Sequence, residues 1–96
     1  MVIGILQVEL TIDGATSLKD KRSVVRSIKD RLHREHQVSV AEVGSQDEHR
    51  KAVLGIVLAA TEVNYCQSVL DTILDKLTQQ HGCYVSDHKK EILTGQ

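Results

Sequence analysis

At 96 residues and 10.7 kDa the chain is one domain's worth of polypeptide, and a single domain over residues 1–96 is expected. Its 41% hydrophobic and 26% charged residues are ordinary globular composition, which excludes a disordered chain. It has no Trp and no Phe, and only Tyr65 and Tyr84, so recognition by stacking on aromatic platforms is excluded. The formal charge of −1 and pI of about 6.5 exclude a polycation as a whole.

Val2 to Ile12 alternates with period two, which predicts a strand, and Asp13-Gly14 marks the turn after it. Glu9 inside this apolar run, and the lack of a basic leader or small-residue cleavage site, argue against a signal segment. No apolar run approaches the ~20 residues that span a bilayer, so no membrane partner is expected. Ser17 suits a helix N-cap, with Asp20 in the first turn. Leu18, Val24, Val25, Ile28 and Leu32 then predict a helix over about 18–35. Val38–Val43 reads as a short strand, and 44–51 as a polar loop. Ala52–Thr61 is apolar at nearly every position, as suits a central strand covered on both faces. Thr61 or Asn64 is expected to cap a second helix. Cys66, Val69, Leu70, Ile73, Leu74 and Leu77 form its buried stripe, and Gly82 is its expected C′ residue. Cys83–Leu93 is a charged strand, suited to a sheet edge.

The order β-α-β-β-α-β gives an α+β, ferredoxin-like sandwich: a four-stranded antiparallel sheet with two helices on one face. The two most apolar strands take the centre and the two polar ones the edges. The second sheet face is left open and shows Ile3, Ile5 and half of the third strand, so a homo-oligomer covering it is expected. Cys66 and Cys83 have no framework spacing and suggest a reducing, cytoplasmic setting.

Charge is unevenly distributed along this order. The first helix carries seven of the twelve Lys and Arg residues against three acids, or +4; the remainder of the chain sums to −5. At 100° per residue Lys19, Arg22, Arg26, Lys29 and His33 fall within an arc of about 80°. Neighbouring like charges at that spacing repel by a few tenths of a kcal/mol per pair. Asp30 is expected to offset Arg26 in part, and Glu35 to pair with Arg31. Lys21 falls instead among the buried positions, where it either snorkels at the helix end or pairs with a carboxylate, Glu42 or Asp47; a structural salt bridge is expected. Parallel first and second strands bring Ser17, Lys19, Arg22, Gln46, His49, Arg50 and Lys51 to one end, around a helix N-terminus suited to an anion.

Ser17-Leu18-Lys19-Asp20-Lys21-Arg22, followed by Val24, Val25, Ile28, Arg31 and Leu32, resembles the S-L-K-x-K-R-x-V helix of the YlxP-like family. Gln37–Val43 is similar to its N-V-S-V-A-E-V strand, and Asp47 with Arg50, Lys51 and Ala52 to its D-x-W-Q-R-A segment. The resemblance covers roughly Val2 to Ala60. It implies a bacterial domain of unknown function with a ferredoxin-like fold. The family's genes often lie beside those for translation initiation and ribosome maturation, so the resemblance implies by association a role near RNA or the ribosome. His36 stands where the family often has an aromatic, and His49 where it has tryptophan.

No G-x-S-x-G, H-E-x-x-H, P-loop or dinucleotide fingerprint occurs, and no enzyme, cofactor or metal is expected. His33 and His36 at i, i+3 lack a clear third ligand. The reading is a binding module that contacts RNA or a ribosomal particle through Lys19, Arg22, Arg26, Lys29, His49, Arg50 and Lys51. A homo-oligomeric module using Ile3 and Ile5 on the open face is its alternative, and a small anion bound at the helix end is a third reading.

Overall fold

The computed structural model describes residues 1–95. Strand β1 (Val2–Thr11) leads into helix α1 (Leu18–Glu35). Strands β2 (Ser39–Gly44) and β3 (Lys51–Ala60), helix α2 (Val63–Thr78) and strand β4 (Tyr84–Thr94) follow. The sheet runs β2-β3-β1-β4 with every neighbouring pair antiparallel, so β1 and β2 run parallel. This is the ferredoxin-like arrangement expected from the order of elements.

Alternation decides which side chains meet the helices. Val2, Gly4, Leu6, Val8 and Leu10 of β1 are buried, and their register partners on β3 include Ala52, Leu54, Ile56 and Leu58. Val25, Ile28 and Leu32 of α1 and Cys66, Leu70, Ile73 and Leu77 of α2 close over them. Contrary to the expectation for so apolar a strand, β3 is covered on one face only: Val57 and Ala59 are exposed, and Val53 and Gly55 half-buried. The helices occupy a single layer, so the odd-numbered residues of β3 have no helix packed on them.

The ends of α2 also differ from expectation. Glu62, with extended backbone (φ −132°, ψ 141°), is the N-cap, so Thr61 lies before the helix and Asn64 already within its first turn. Gln79 caps the other end. The N–H groups of Gln79 and Gln80 reach back three residues, to Lys76 and Leu77, and end the helix early. Gly82 therefore is not its C′ residue; its φ of +86° serves the turn into β4 instead. Ser86 is the extra residue of a bulge between β4 and β1; its hydroxyl accepts from Thr11 Oγ1 at 3.0 Å and donates to the Glu9 carbonyl at 3.2 Å.

Side chains of α2 pack directly over Gly4. A Cβ there would collide with Cys66 Sγ and stand 3.1 Å from Leu70 Cδ1. Gly4→Ala is therefore expected to destabilise the fold by ~2 kcal/mol in urea denaturation. Adding Cys66→Ala relieves the collision, so the double variant should lose clearly less than the sum of the two single losses.

Candidate anion-binding surface

Lys21 is fully buried, yet its ammonium group is surrounded by acceptors. It donates to Glu42 Oε2 at 2.8 Å and shares its other protons among the carbonyls of Ser45 (2.8 Å), Lys51 (3.2 Å) and Gln46 (3.3 Å). A buried cation persists only when paired and hydrogen-bonded in this way. Of the two acids expected to face it, Glu42 does so, because it pairs with Leu54 and so shares the helix-facing side of the sheet. Asp47 is exposed in the 45–50 loop, and among the described residues it forms no ion pair. The three carbonyls had no signal in the sequence, because a backbone direction is not encoded in one residue type. They bind the loop to the first turns of α1. Ser45 adopts the left-handed conformation (φ 58°) to aim its carbonyl, which also accepts from Glu48 N at 3.1 Å.

With Lys21 pointing inward, the basic row points outward. Lys19, Arg22 and Arg26 are exposed and Lys29 is half-buried along the outer flank of α1. Among the described residues none of the four is within ion-pair distance of a carboxylate. Asp30, expected to offset Arg26, makes no ion pair with it; the bond from Arg31 Nε to Glu35 forms as expected, at 3.1 Å. Arg34, which the sequence did not single out, is likewise exposed and unpaired.

The loop contributes less than expected. Arg50 is exposed, and its carbonyl accepts from Ile12 N at 2.8 Å, which holds it at the helix end of the sheet; His49 beside it is half-buried. Lys51 does not extend the row. It pairs with Thr11 on the face away from the helices, and its ammonium lies 3.9 Å from Glu9 there. The N-terminus of α1 is filled by its own chain. Ser17 Oγ accepts from Asp20 N at 3.1 Å, and Asp20 Oδ2 accepts from the Thr16 hydroxyl at 2.7 Å and from Thr16 N at 3.0 Å. The Thr16 hydroxyl, then its N–H, hold the Asp20 carboxyl below its ordinary range. An internal carboxylate thus sits where a small anion was expected.

At the opposite end, Lys76 donates to Glu35 Oε1 at 3.0 Å and to His36 Nε2 at 2.8 Å, tying α2 to the end of α1. Nothing in the sequence pattern indicated this clasp, which joins residues 40 positions apart. Burial, then the Lys76 cation, push the His36 imidazole below its ordinary value of 6.5. His33 is exposed. Among the described residues no three His, Cys, Asp or Glu side chains are grouped to hold a metal ion. Cys66 and Cys83 are free thiols, and burial raises the pKa of Cys83.

The model of a protein family described as "Protein of unknown function (DUF503)" matches residues 3–90. The chain belongs to this family. It is 32% identical over 73 residues to the "Uncharacterized protein YlxP" of Bacillus subtilis (strain 168), across 76% of this chain and 79% of that protein. The YlxP-like resemblance of the helix and strand motifs therefore extends over most of the chain. Among solved structures, the solution NMR structure of a de novo designed protein with a ferredoxin fold superposes with a TM-score of 0.52. It covers 97% of this chain and 84% of that one at 16% identity, which shows the fold alone. No helix among the described residues is long and apolar enough to cross a membrane.

Lys21→Met keeps the buried stem but strips Glu42 and three carbonyls of their shared donor. A loss of about 3 kcal/mol is expected in urea denaturation, against under ~0.5 kcal/mol for Lys29→Met on the outer flank. The depressed His36 pKa has a defined sign. Below its ordinary pKa of about 6.5 the unfolded chain takes the proton first, so stability present above that pH is lost as pH falls toward the folded value. Urea midpoints at pH 7.5 and 5.5 should therefore differ less in His36→Gln than in the parent.

Proposed function

We propose that the outer flank of α1 binds the sugar-phosphate backbone of structured RNA, with Lys19, Arg22, Arg26 and Lys29 each taking a phosphate and Arg50 extending the track at the loop end. The supporting observation is the row of four cations that repel one another and, among the described residues, form no ion pair with a carboxylate, on a chain whose acids outnumber its bases. A row that costs helix stability and forms no ion pair among the described residues suits an external polyanion better than it suits solubility. From Lys19 to Lys29 the helix rises about 15 Å, a span that reaches several successive phosphates. Tyr65 and Tyr84 lie on other elements, so no aromatic platform accompanies the row. Recognition then rests on backbone and shape more than on base identity, as in duplex and folded RNA. The module is non-catalytic in this reading, and a ribosomal particle is one form in which such RNA is presented.

Titration of a labelled RNA hairpin from ~0.05 to ~0.5 M salt should show log K falling with log[salt] at a slope of roughly −2 to −4, as for about three to five phosphates engaged. A Lys19→Glu/Arg22→Glu/Arg26→Glu variant should lose binding with its thermal melt retained. A variant that binds as tightly as the parent overturns the reading.

A further inference from the structure

We propose that the bare face of the sheet is a self-association surface that seats a second copy of this chain face to face, leaving both α1 rows outward. Ile3, Ile5, Val53, Val57, Ala59 and Leu93 project on this face, with Val57 41% and Leu93 42% exposed, and Val43, 53% exposed, leans over Gly55. Aliphatic side chains so clustered on one sheet face mark a contact surface.

Charge identifies the occupant. The face carries Glu9, Asp87 and Glu91 against Lys51 and Lys89, a net −1 that repels the polyanion drawn to α1. Glu9 is already engaged by Lys51 and by the Ser86 hydroxyl at 3.2 Å. What remains is an alternating row along β4 (acid, base, acid at 87, 89 and 91), and such a row complements itself when its copy runs antiparallel. A two-fold axis crossing the strands between the Ile5–Val57 and Gln7–Gly55 rows lays each Lys89 against Glu91 of the other copy. The same axis lays Val57 over the other copy's Gly55 and Ala59 over its Val53, as the registers require. It also lays Ile3 opposite Glu9 and Leu93 opposite Asp87 at the ends of the contact, so the self-complementarity that a two-fold dimer needs rests on the two Lys89–Glu91 pairs and on Val57, Ala59 and Val53 of β3.

The size of the face sets the strength. Four strands at ~4.8 Å spacing and about nine residues in length present roughly 600 Å² per copy, below the ~800 Å² per partner of standard interfaces. A concentration-dependent dimer is therefore expected. In it the two α1 layers stand roughly 30 Å apart on opposite sides, so the dimer can bridge two RNA segments.

Sedimentation velocity from about 1 to about 300 µM should show the full chain passing from monomer to dimer. Val57→Asp should leave it monomeric with an unchanged melt. Lys89→Glu should weaken the dimer at least tenfold, and Lys89→Glu/Glu91→Lys should restore it, because the double exchange rebuilds the same pairs in reverse. The triple charge reversal on α1 should dimerise like the parent even if RNA binding is lost or was never present, so the two readings fail separately. A chain monomeric at the highest concentration overturns the proposal. So does a dimer indifferent to Val57→Asp, as edge-to-edge pairing of β4 would give, and so does a Lys89/Glu91 exchange that fails to restore what Lys89→Glu removes.

Discussion

The buried ammonium of Lys21 fixes the relation between α1, β2 and the loop that joins β2 to β3. A cation withdrawn from water must find its full set of acceptors, and here one carboxylate and three carbonyls converge on it. The consequence is rotational: with Lys21 held at the centre of the inward side of α1, beside Val25, Ile28 and Leu32, the helix cannot turn about its axis. Lys19, Arg22, Arg26 and Lys29 are committed to the outer flank. The same contact anchors the loop that carries Arg50, so helix and loop present their charges from one rigid corner.

The molecule divides into two surfaces of opposite character. The outer flank of α1 presents Lys19, Arg22, Arg26 and Lys29, which form no ion pair among the described residues. The sheet presents aliphatic side chains beside a row of alternating charge with a slight excess of acid. Sequence alternation produces the division, since a one-residue change of register along β3 would move Lys51 to the helix side and bury Val57. A polyanion is drawn to one surface and repelled by the other, so the proposed RNA contact and the proposed self-association do not compete.

Topology was legible because three independent signals agreed: period-two alternation in β1, the helical stripe through Val25, Ile28 and Leu32, and the charge load that marks β4 as an edge. Ser17 as a cap, the inward angle of Lys21 and the Arg31–Glu35 pair follow from local spacing, which a sequence displays directly. The ends of α2 are not legible in the same way, because Asn64, Thr61 and Gly82 are each good terminator residues while the end at Glu62 uses no side-chain cap. Lys51 adjoins Arg50 along the chain, yet strand alternation carries its side chain to the other face of the sheet. The Lys76 clasp on Glu35 and His36 and the carbonyl cage of Lys21 depend on distant segments meeting and on backbone direction. Neither is written in composition or periodicity.

The central claim is that the row of cations on one flank of α1, without ion pairs among the described residues, exists to meet phosphate. Amide and arginine-side-chain NMR shifts recorded while an RNA hairpin is added test it residue by residue. The account requires shifts at Lys19, Arg22, Arg26, Lys29 and Arg50 that vanish as salt is raised, with Ile5, Val57 and Lys89 undisturbed. Shifts centred on the bare sheet face, or none on α1, would contradict it.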